Sequence, residues 1–373
     1  VRQADFYDDG VPMALKEVLI EPKIETDGLR PLMMHEWNWW GSYPDPKDKV
    51  KYANAQVKAF WLDSLVASAK ANGQEDLTPI YHRNGEWLQA LARKDGVEYT
   101  RRNPDIEGYV LWTITDLAQY VEGLLDDFWN PKNVSALEMR KSTGQTVILL
   151  SREGDRCLKA GAHTWVPLAV SHYGESNLRN CLLRWKVVSG AVFAKGEILI
   201  PHLRMGELNQ IGYAKIALPD PDKARKIELQ VALYNEKQLV NTNNWSFWEF
   251  PKMRDGLRNC TLVTAGWTVE NGAVARVCAA RSMPINDGAR LVISDLLDQS
   301  LADYIEKGGR CILFAKGTPI EMTAGAGGLF GYDHFRPIPW NGGTGNSGTV
   351  ISNHPALEKF PHDPRTNAEA GEV

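Results

Sequence analysis

The amino-acid sequence predicts a multidomain protein in which an all-β segment lies between two α/β segments. Three changes of pattern support this prediction. Short buried strands alternate with helices over residues 1–141, closely spaced short strands fill residues 142–250, and the alternation returns over residues 251–373. The chain of 373 residues is long enough for about two to three domains, each with its own core.

In the first segment, two short apolar runs predict buried strands. One covers residues 30–36 and ends in the polar pair His35 and Glu36, and the other covers residues 107–113 and is rich in β-branched and aromatic side chains. Between them, apolar residues near the helical period predict a helix over 48–71 and a second helix over about 84–93. Strands separated by helices indicate parallel βα units.

The second segment changes to a series of short strands separated by turn residues. Alternating apolar and polar positions are clearest over residues 165–170 and 227–233, which is typical of half-buried strands. About 100 residues of this pattern predict an Ig-like β-sandwich. The predicted strands cover 145–151, 163–172, 182–188, 197–201, 212–217 and 226–235.

The third segment, residues 251–373, is predicted to form an α/β domain that is incomplete. Residues 289–294 predict a strand, residues 298–307 a helix, and residues 310–315 the next strand, with Gly308 and Gly309 ending the helix. Beyond residue 325 the chain is rich in glycine and polar residues, and its end is expected to form a loose tail.

Composition excludes several functional classes. The net charge is -4, which gives no basic bias toward nucleic acid, and no stretch of about 20 apolar residues indicates a membrane span. The five cysteines lack CxxC spacing, and no His, Cys and Asp cluster has the spacing of metal ligands. We therefore expect no nucleic-acid or membrane partner, no metal and no cofactor. The 13 tryptophans are unusually many, and their flat faces fill cores or stack on sugars.

The first candidate site begins at the end of the first predicted strand. His35 and Glu36 are followed by Trp37, Trp39 and Trp40, so a carboxylate at a strand end is surrounded by indole rings. A glycosidase needs such a carboxylate at the anomeric carbon and aromatic faces against the sugar. The alternative is that Glu36 pairs with a basic residue and the tryptophans fill a core. His35 fits either a hydrogen bond to sugar or to Glu36, or a core imidazole.

The second candidate site follows the second predicted strand. Trp112 lies near the end of that strand, where an indole ring can form the floor of a sugar site, although a core position explains it as well. Asp116 either faces the same pocket or caps the next helix. In the all-β segment, Trp165, Trp185, Trp245 and Trp248 fit either a glycan platform or the core between two sheets, and the period-two placement favours the core.

These residues resemble the end of the catalytic barrel in glycoside hydrolase family two, the β-galactosidase and β-glucuronidase group. In that family the seventh barrel strand ends in the nucleophilic glutamate, and the eighth has the pattern G-x-x-x-W-x-x-x-D, which residues 108–116 match. A Gly-to-Pro-Lys turn into the last helix follows, as in residues 123–132. More loosely, residues 301–317 resemble the flavodoxin-like, amidotransferase-like domain of some large galactosidase-type enzymes.

The resemblance implies a retaining exo-glycosidase of the β-galactosidase type that acts on a carbohydrate. It makes Glu36 the nucleophile, Trp112 the floor of the catalytic subsite, and Asp116 the carboxylate that closes the eighth strand. The residues expected to contact the substrate are His35, Trp37, Trp39, Trp40, Trp112 and Asp116. Large members of the family also carry a β-sandwich directly after the barrel, as predicted here for residues 142–250.

The sequence departs from the family in one respect that bears on catalysis. The family's acid/base glutamate follows an asparagine on the fourth strand, and no Asn-Glu pair lies at a strand end before Glu36. We therefore expect residues 1–141 to be the C-terminal part of a barrel whose missing N-terminal part, or a second copy of the chain, completes it, and the chain alone to be inactive. The parent enzyme is expected to be exported. The alternative is a carbohydrate-binding or structural pseudoenzyme fragment.

Overall fold

The computed structural model shows a protein that is mainly β-sheet with few helices. It divides into two compact units: residues 1–252 with 334–373, and residues 253–333. The structure describes residues 2–5, 32–37, 41–71, 73–118, 120–132, 134–151, 156–159, 161, 163–251, 260–263, 281–282, 285, 291–294, 298–313, 355–358 and 362–363.

The first unit begins with a three-stranded parallel sheet. Its strands are β1 (Arg2–Asp5), β2 (Leu32–Trp37) and β3 (Ile106–Leu111), in the order β1-β2-β3. The two strands predicted from the sequence in this region are β2 and β3, and they pair in parallel as their separation by helices indicated. Parallel neighbours end at the same edge of a sheet, so the last residues of β2 and β3, Trp37 and Leu111, lie side by side.

Two helices connect β2 to β3. They are α1 (Phe60–Ala71) and α2 (Thr78–Arg102). The helix predicted over 48–71 is wrong in its first half, where the chain forms a 3-10 helix over Pro46–Tyr52 and then turns. The physical reason is a lack of apolar partners, because Val50 and Val57, which were part of the predicted stripe, are 78% and 58% exposed. The second predicted helix, in contrast, extends well beyond 84–93 in both directions.

Residues 146–250 form two facing sheets, which we call the two-sheet module. Helix α3 (Ala136–Thr143) precedes it, and the Ser135 side chain accepts a hydrogen bond from the Glu138 N–H at its start. A three-stranded sheet has the order β4-β6-β9, and a five-stranded sheet has the order β5-β11-β10-β7-β8. The strands are β4 (Thr146–Leu150), β5 (Cys157–Lys159), β6 (His163–His172), β7 (Leu178–Ser189), β8 (Ala191–Leu203), β9 (Glu207–Ala217), β10 (Arg225–Asn235) and β11 (Gln238–Phe250).

One apolar core lies between the two sheets. Alternate residues of β10, namely Ile227, Leu229, Val231 and Leu233, are buried in it, as period-two patterning requires. Of the four tryptophans of this segment that fitted either a glycan platform or the core, Trp185 and Trp245 belong to this core. Trp248 is fully buried, and Trp165 remains 55% exposed.

A buried carboxylate joins α2 to the two-sheet module. Glu98 is almost fully buried and accepts hydrogen bonds from Lys94 Nζ at 2.5 Å, from Asn243 Nδ2 at 2.8 Å and from Trp245 Nε1 at 2.9 Å. One turn further along, Arg101 Nη2 donates to the carbonyl oxygens of Gln145 and Ser171. Helix α2 is therefore fixed to the module by hydrogen bonds of two charged side chains, Glu98 and Arg101.

The second unit contains a parallel sheet with the order β13-β12-β14-β15. Asp298 caps the start of helix α4 by accepting a hydrogen bond from the Leu301 N–H at 2.9 Å, and Gly308, with a φ of 89°, follows its end. The predicted tail, residues 364–373, lies outside the described residues. The elements are β12 (Cys260–Val263), β13 (Arg281–Ser282), β14 (Leu291–Ser294), α4 (Gln299–Glu306) and β15 (Cys311–Leu313).

Candidate active site

The ends of β2 and β3 bring two of the predicted site residues to one edge of the parallel sheet. Trp37, the last residue of β2, pairs with Leu111, the last residue of β3. The next residue, Trp112, donates its backbone N–H to the Trp37 carbonyl oxygen at 3.0 Å. Glu36 is the residue before Trp37, so its backbone and that of Trp112 lie on neighbouring strands at the same end of the sheet.

The indole ring of Trp112 is held by residues that sequence reasoning missed. Its Nε1–H donates to the Glu122 carboxylate at 2.8 Å, and Glu122 is buried. Arg93, a buried residue of α2, donates to the carbonyl oxygens of Trp112 at 3.3 Å, of Gly123 at 3.2 Å and of Glu122. Burial lowers the pKa of Arg93 to about 10, against the opposing effect of the Asp116 and Glu122 charges, so Arg93 stays protonated at neutral pH.

Asp116 is buried and fixes the segment that follows β3. Its Oδ1 accepts hydrogen bonds from Lys132 Nζ at 2.5 Å and from the Gly123 N–H at 2.6 Å. Burial raises the pKa of Asp116, and the nearby Asp127 charge raises it further; together these effects outweigh the Lys132 charge. Burial also lowers the pKa of Lys132. The turn between Gly123 and Lys132 is therefore tied to the end of β3 by a buried ion pair.

A cavity of about 220 Å³ adjoins this ion pair. Asp116 and Lys132 line one side of it, and the aromatic rings of Tyr52, Trp61 and Phe128 line another. Tyr52 lies between the other two rings and meets each nearly edge-on, with centroid distances of 5.2 Å to Trp61 and 4.8 Å to Phe128. The cavity thus combines polar groups with aromatic surface, which suits a small polar ligand.

The remaining predicted site residues lie on or after β2. His35 is half-buried, and its Cα lies opposite Asp5 of β1. The half-buried Trp37 donates its indole N–H to the Gly96 carbonyl oxygen on α2 at 3.2 Å. Trp39 and Trp40 lie outside the described residues, and the structure describes Glu36 only as a backbone position of β2.

Two other features of the described residues bear on function. Among them, no group of three or more His, Cys, Asp or Glu side chains is arranged to hold a metal ion. No helix within the described part of the chain is both long enough and apolar enough to span a membrane.

Comparison with known families matches part of the two-sheet module. The model of a domain of unknown function (DUF8488) matches residues 164–251, from β6 to the end of β11. No curated protein sequence matches the chain.

Glycoside hydrolases are among the solved structures to which parts of the chain are similar. The exo-chitosanase CsxA of Amycolatopsis orientalis is 12% identical, with a TM-score of 0.30, over 42% of this chain and 18% of that chain. The β-D-mannosidase of Dictyoglomus thermophilum is 16% identical, with a TM-score of 0.33, over 50% of this chain and 22% of that chain. The chain thus spans about a fifth of the length of these two proteins.

Proposed function

We propose that this chain is part of a retaining glycoside hydrolase of the β-galactosidase and β-glucuronidase type, with Glu36 as its nucleophile. The observation that carries the proposal is the meeting of β2 and β3 at one sheet edge, where the Trp112 N–H bonds to the Trp37 carbonyl. The Glu36 position, next to last in β2, and the half-buried residue Trp112, which follows β3, therefore lie at the same end of neighbouring parallel strands. Catalytic groups of parallel α/β folds collect at such ends.

The proposal extends to the fold. Strands β1, β2 and β3 would be the last strands of a (β/α)8 barrel within residues 1–141, and their parallel order supports this assignment. The two-sheet module would be an Ig-like β-sandwich within residues 142–250. The parallel sheet of the second unit would belong to a flavodoxin-like or amidotransferase-like domain within residues 251–373.

In the proposed reaction, a Glu36 carboxylate oxygen attacks the anomeric carbon of a bound glycoside. A bond forms between that oxygen and the carbon, and the bond from the carbon to the leaving-group oxygen breaks with its electron pair. A general acid outside this chain would protonate the leaving group, and water would then release the sugar from the glycosyl ester. Trp112 would support the sugar ring by stacking, and the Asp116–Lys132 ion pair would hold the segment after β3 in place.

A covalent trapping experiment tests the nucleophile without requiring the general acid. Dinitrophenyl 2-deoxy-2-fluoro-β-D-glycosides carry a leaving group that departs as dinitrophenolate without being protonated, so a nucleophile alone forms the ester. We expect incubation with the gluco-, galacto- and manno-configured reagents to add one fluoroglycosyl mass to the protein with at least one of them. Peptide mapping should place that mass on Glu36.

The control variants separate specific labelling from general carboxylate reactivity. Glu36→Gln should abolish labelling, and Glu138→Gln on the exposed surface of α3 should not change it. Labelling at a carboxylate other than Glu36, or equal labelling of the Glu36→Gln variant, would overturn the assignment. Binding of glycosides without any labelling would instead favour a carbohydrate-binding module that has no catalytic activity.

A further inference from the structure

Trp112 is fixed at three points by hydrogen bonds from different parts of the chain. Its backbone N–H is bonded to β2 through Trp37, its carbonyl oxygen accepts from Arg93 on α2, and its indole N–H donates to Glu122. The backbone position and the orientation of the ring are therefore both set, although the residue as a whole is only half-buried. A rigid aromatic ring with an accessible face is what a stacking platform requires.

The indole N–H of Trp112 donates to a buried carboxylate, as that of the core residue Trp245 does. The two residues differ in exposure, because Trp245 is buried whereas Trp112 is half-buried. Trp37 satisfies its indole N–H with the neutral carbonyl oxygen of Gly96 at 3.2 Å, whereas Trp112 uses a buried carboxylate at 2.8 Å. Burying a carboxylate is unfavourable unless charge and hydrogen bonds compensate it, so packing alone does not account for Glu122. The hydrogen bond that it accepts is charge-assisted, which makes it stronger than one to a neutral carbonyl.

Arg93 links the two members of this pair. The guanidinium donates to the carbonyl oxygens of Trp112 and of Glu122, and its positive charge interacts with the Glu122 carboxylate. Arginine suits this role because its N–H donors are fixed in one plane. Lysine has all its donors on a single nitrogen atom and does not reproduce that geometry. One buried side chain therefore sets the relative position of the tryptophan and its acceptor.

We propose that Glu122 and Arg93 are positioning residues that hold the Trp112 indole as a preformed platform for a pyranose ring. Neither residue is assigned contact with the sugar; both act through Trp112. This inference rests on the proposed glycosidase function, since a platform matters only if a sugar binds beside Glu36. It adds to that function by naming the residues that determine how tightly the sugar stacks.

The test uses the full chain labelled with 5-fluorotryptophan and followed by 19F NMR. The resonance missing from a Trp112→Phe variant identifies Trp112, and titration with methyl β-D-glucoside, -galactoside, -mannoside and -glucosaminide gives the affinity for each sugar. We expect Glu122→Leu to shift the Trp112 resonance in the free protein. We also expect it to weaken sugar binding roughly 3- to 10-fold, the range for one lost hydrogen bond.

Conservative and distant substitutions distinguish positioning from a general effect on folding. Glu122→Gln keeps an acceptor for the indole N–H, so it should restore most of the affinity that Glu122→Leu loses. Arg93→Lys should also weaken binding, and Arg83→Lys at an exposed position of α2 should not. If the Arg93 variant does not fold, the pair of Glu122 variants still decides the question.

The possible outcomes separate the two proposals. If a glycoside binds and shifts the Trp112 resonance but Glu122→Leu binds it equally well, the positioning role is overturned and the proposed function stands. If no glycoside shifts the Trp112 resonance of the unmodified protein, the platform role is overturned, and fluoroglycoside trapping at Glu36 decides the proposed function separately. Weaker binding by Glu122→Leu together with recovery in Glu122→Gln would support both.

Discussion

Replacing Glu98 should destabilise the first unit strongly, because this carboxylate connects α2 to the two-sheet module. In Glu98→Gln, one acceptor oxygen remains for two neutral donors, Asn243 Nδ2 and Trp245 Nε1, so one charge-assisted hydrogen bond is lost. Lys94 also loses its counter-charge, but its side chain is 21% exposed and can be hydrated. We expect the free energy of unfolding to fall by about 2–4 kcal/mol.

The effect should depend on pH in a defined direction. Burial by itself raises the pKa of Glu98, but the Lys94 charge and hydrogen bond, with contributions from Trp245 and Arg102, outweigh it and hold the pKa below 4.5. A carboxyl whose pKa is lower in the folded state stabilises that state above its unfolded pKa and loses the effect as pH falls. The difference between the wild type and Glu98→Gln should therefore be constant above about pH 5.5 and shrink below about pH 4.5.

Urea unfolding followed by tryptophan fluorescence measures this difference, since Trp245 contacts Glu98 directly. The matched control is Glu138→Gln, which removes an ion pair with Lys141 at a side chain that is 58% exposed. That change should alter the free energy of unfolding by less than about 0.5 kcal/mol. A Glu98→Gln loss as small as that of the control, or one that grows on acidification, would refute the reasoning.

Two further predictions concern core packing and the ion pair that follows β3. Gly196→Ala would place its Cβ 2.5 Å from the rigid Trp185 ring and should cost about 1–3 kcal/mol in urea unfolding, whereas Gly108→Ala meets a flexible methionine side chain at 2.9 Å and should cost less. Equal costs would contradict this account. Asp116→Asn removes the carboxylate that is hydrogen-bonded to the buried Lys132 ammonium and should lower stability by about 3–5 kcal/mol, and adding Lys132→Met should recover part of the loss. An unchanged melting temperature in the single variant would contradict the role of the ion pair.

Six strands of the two-sheet module were predicted, with the closest bounds where apolar residues alternate, and two strands, β5 and β11, were not predicted. The predicted bounds 163–172 are those of β6, and 226–235 differs from β10 by one residue. Strand β11 was not predicted, because its inward positions include Asn241 and Asn243. Their side-chain amides donate to carbonyl oxygens of β4, which makes their burial possible but leaves no apolar pattern in the sequence.

The candidate site was likewise predictable only where an apolar pattern marks an element. Placement of Glu36 and Trp112 at strand ends was predictable because short apolar runs mark β2 and β3. Arg93 was not found, since its partners are backbone carbonyl oxygens, which every residue carries, and its contacts span up to 30 residues. Glu122 was not found, since its partner is an indole N–H ten residues away that no sequence pattern links to it. Their burial was also unexpected, since charged residues usually lie at the surface. The roles of Glu36 and its neighbours in catalysis remain predictions.

Helix α2 carries two buried side chains, Arg93 and Glu98, that each fix a different segment of the chain. Arg93 and Glu98 are five residues apart, or about 7.5 Å along the helix axis. One holds the segment with Trp112, and the other holds the two-sheet module. A grafted two-sheet module that packs differently on α2 would carry Arg93 with it and displace the tryptophan. A chimaera that keeps Trp112 in place must therefore preserve the hydrogen-bond partners of Glu98, namely an amide side chain at position 243 and an indole at position 245.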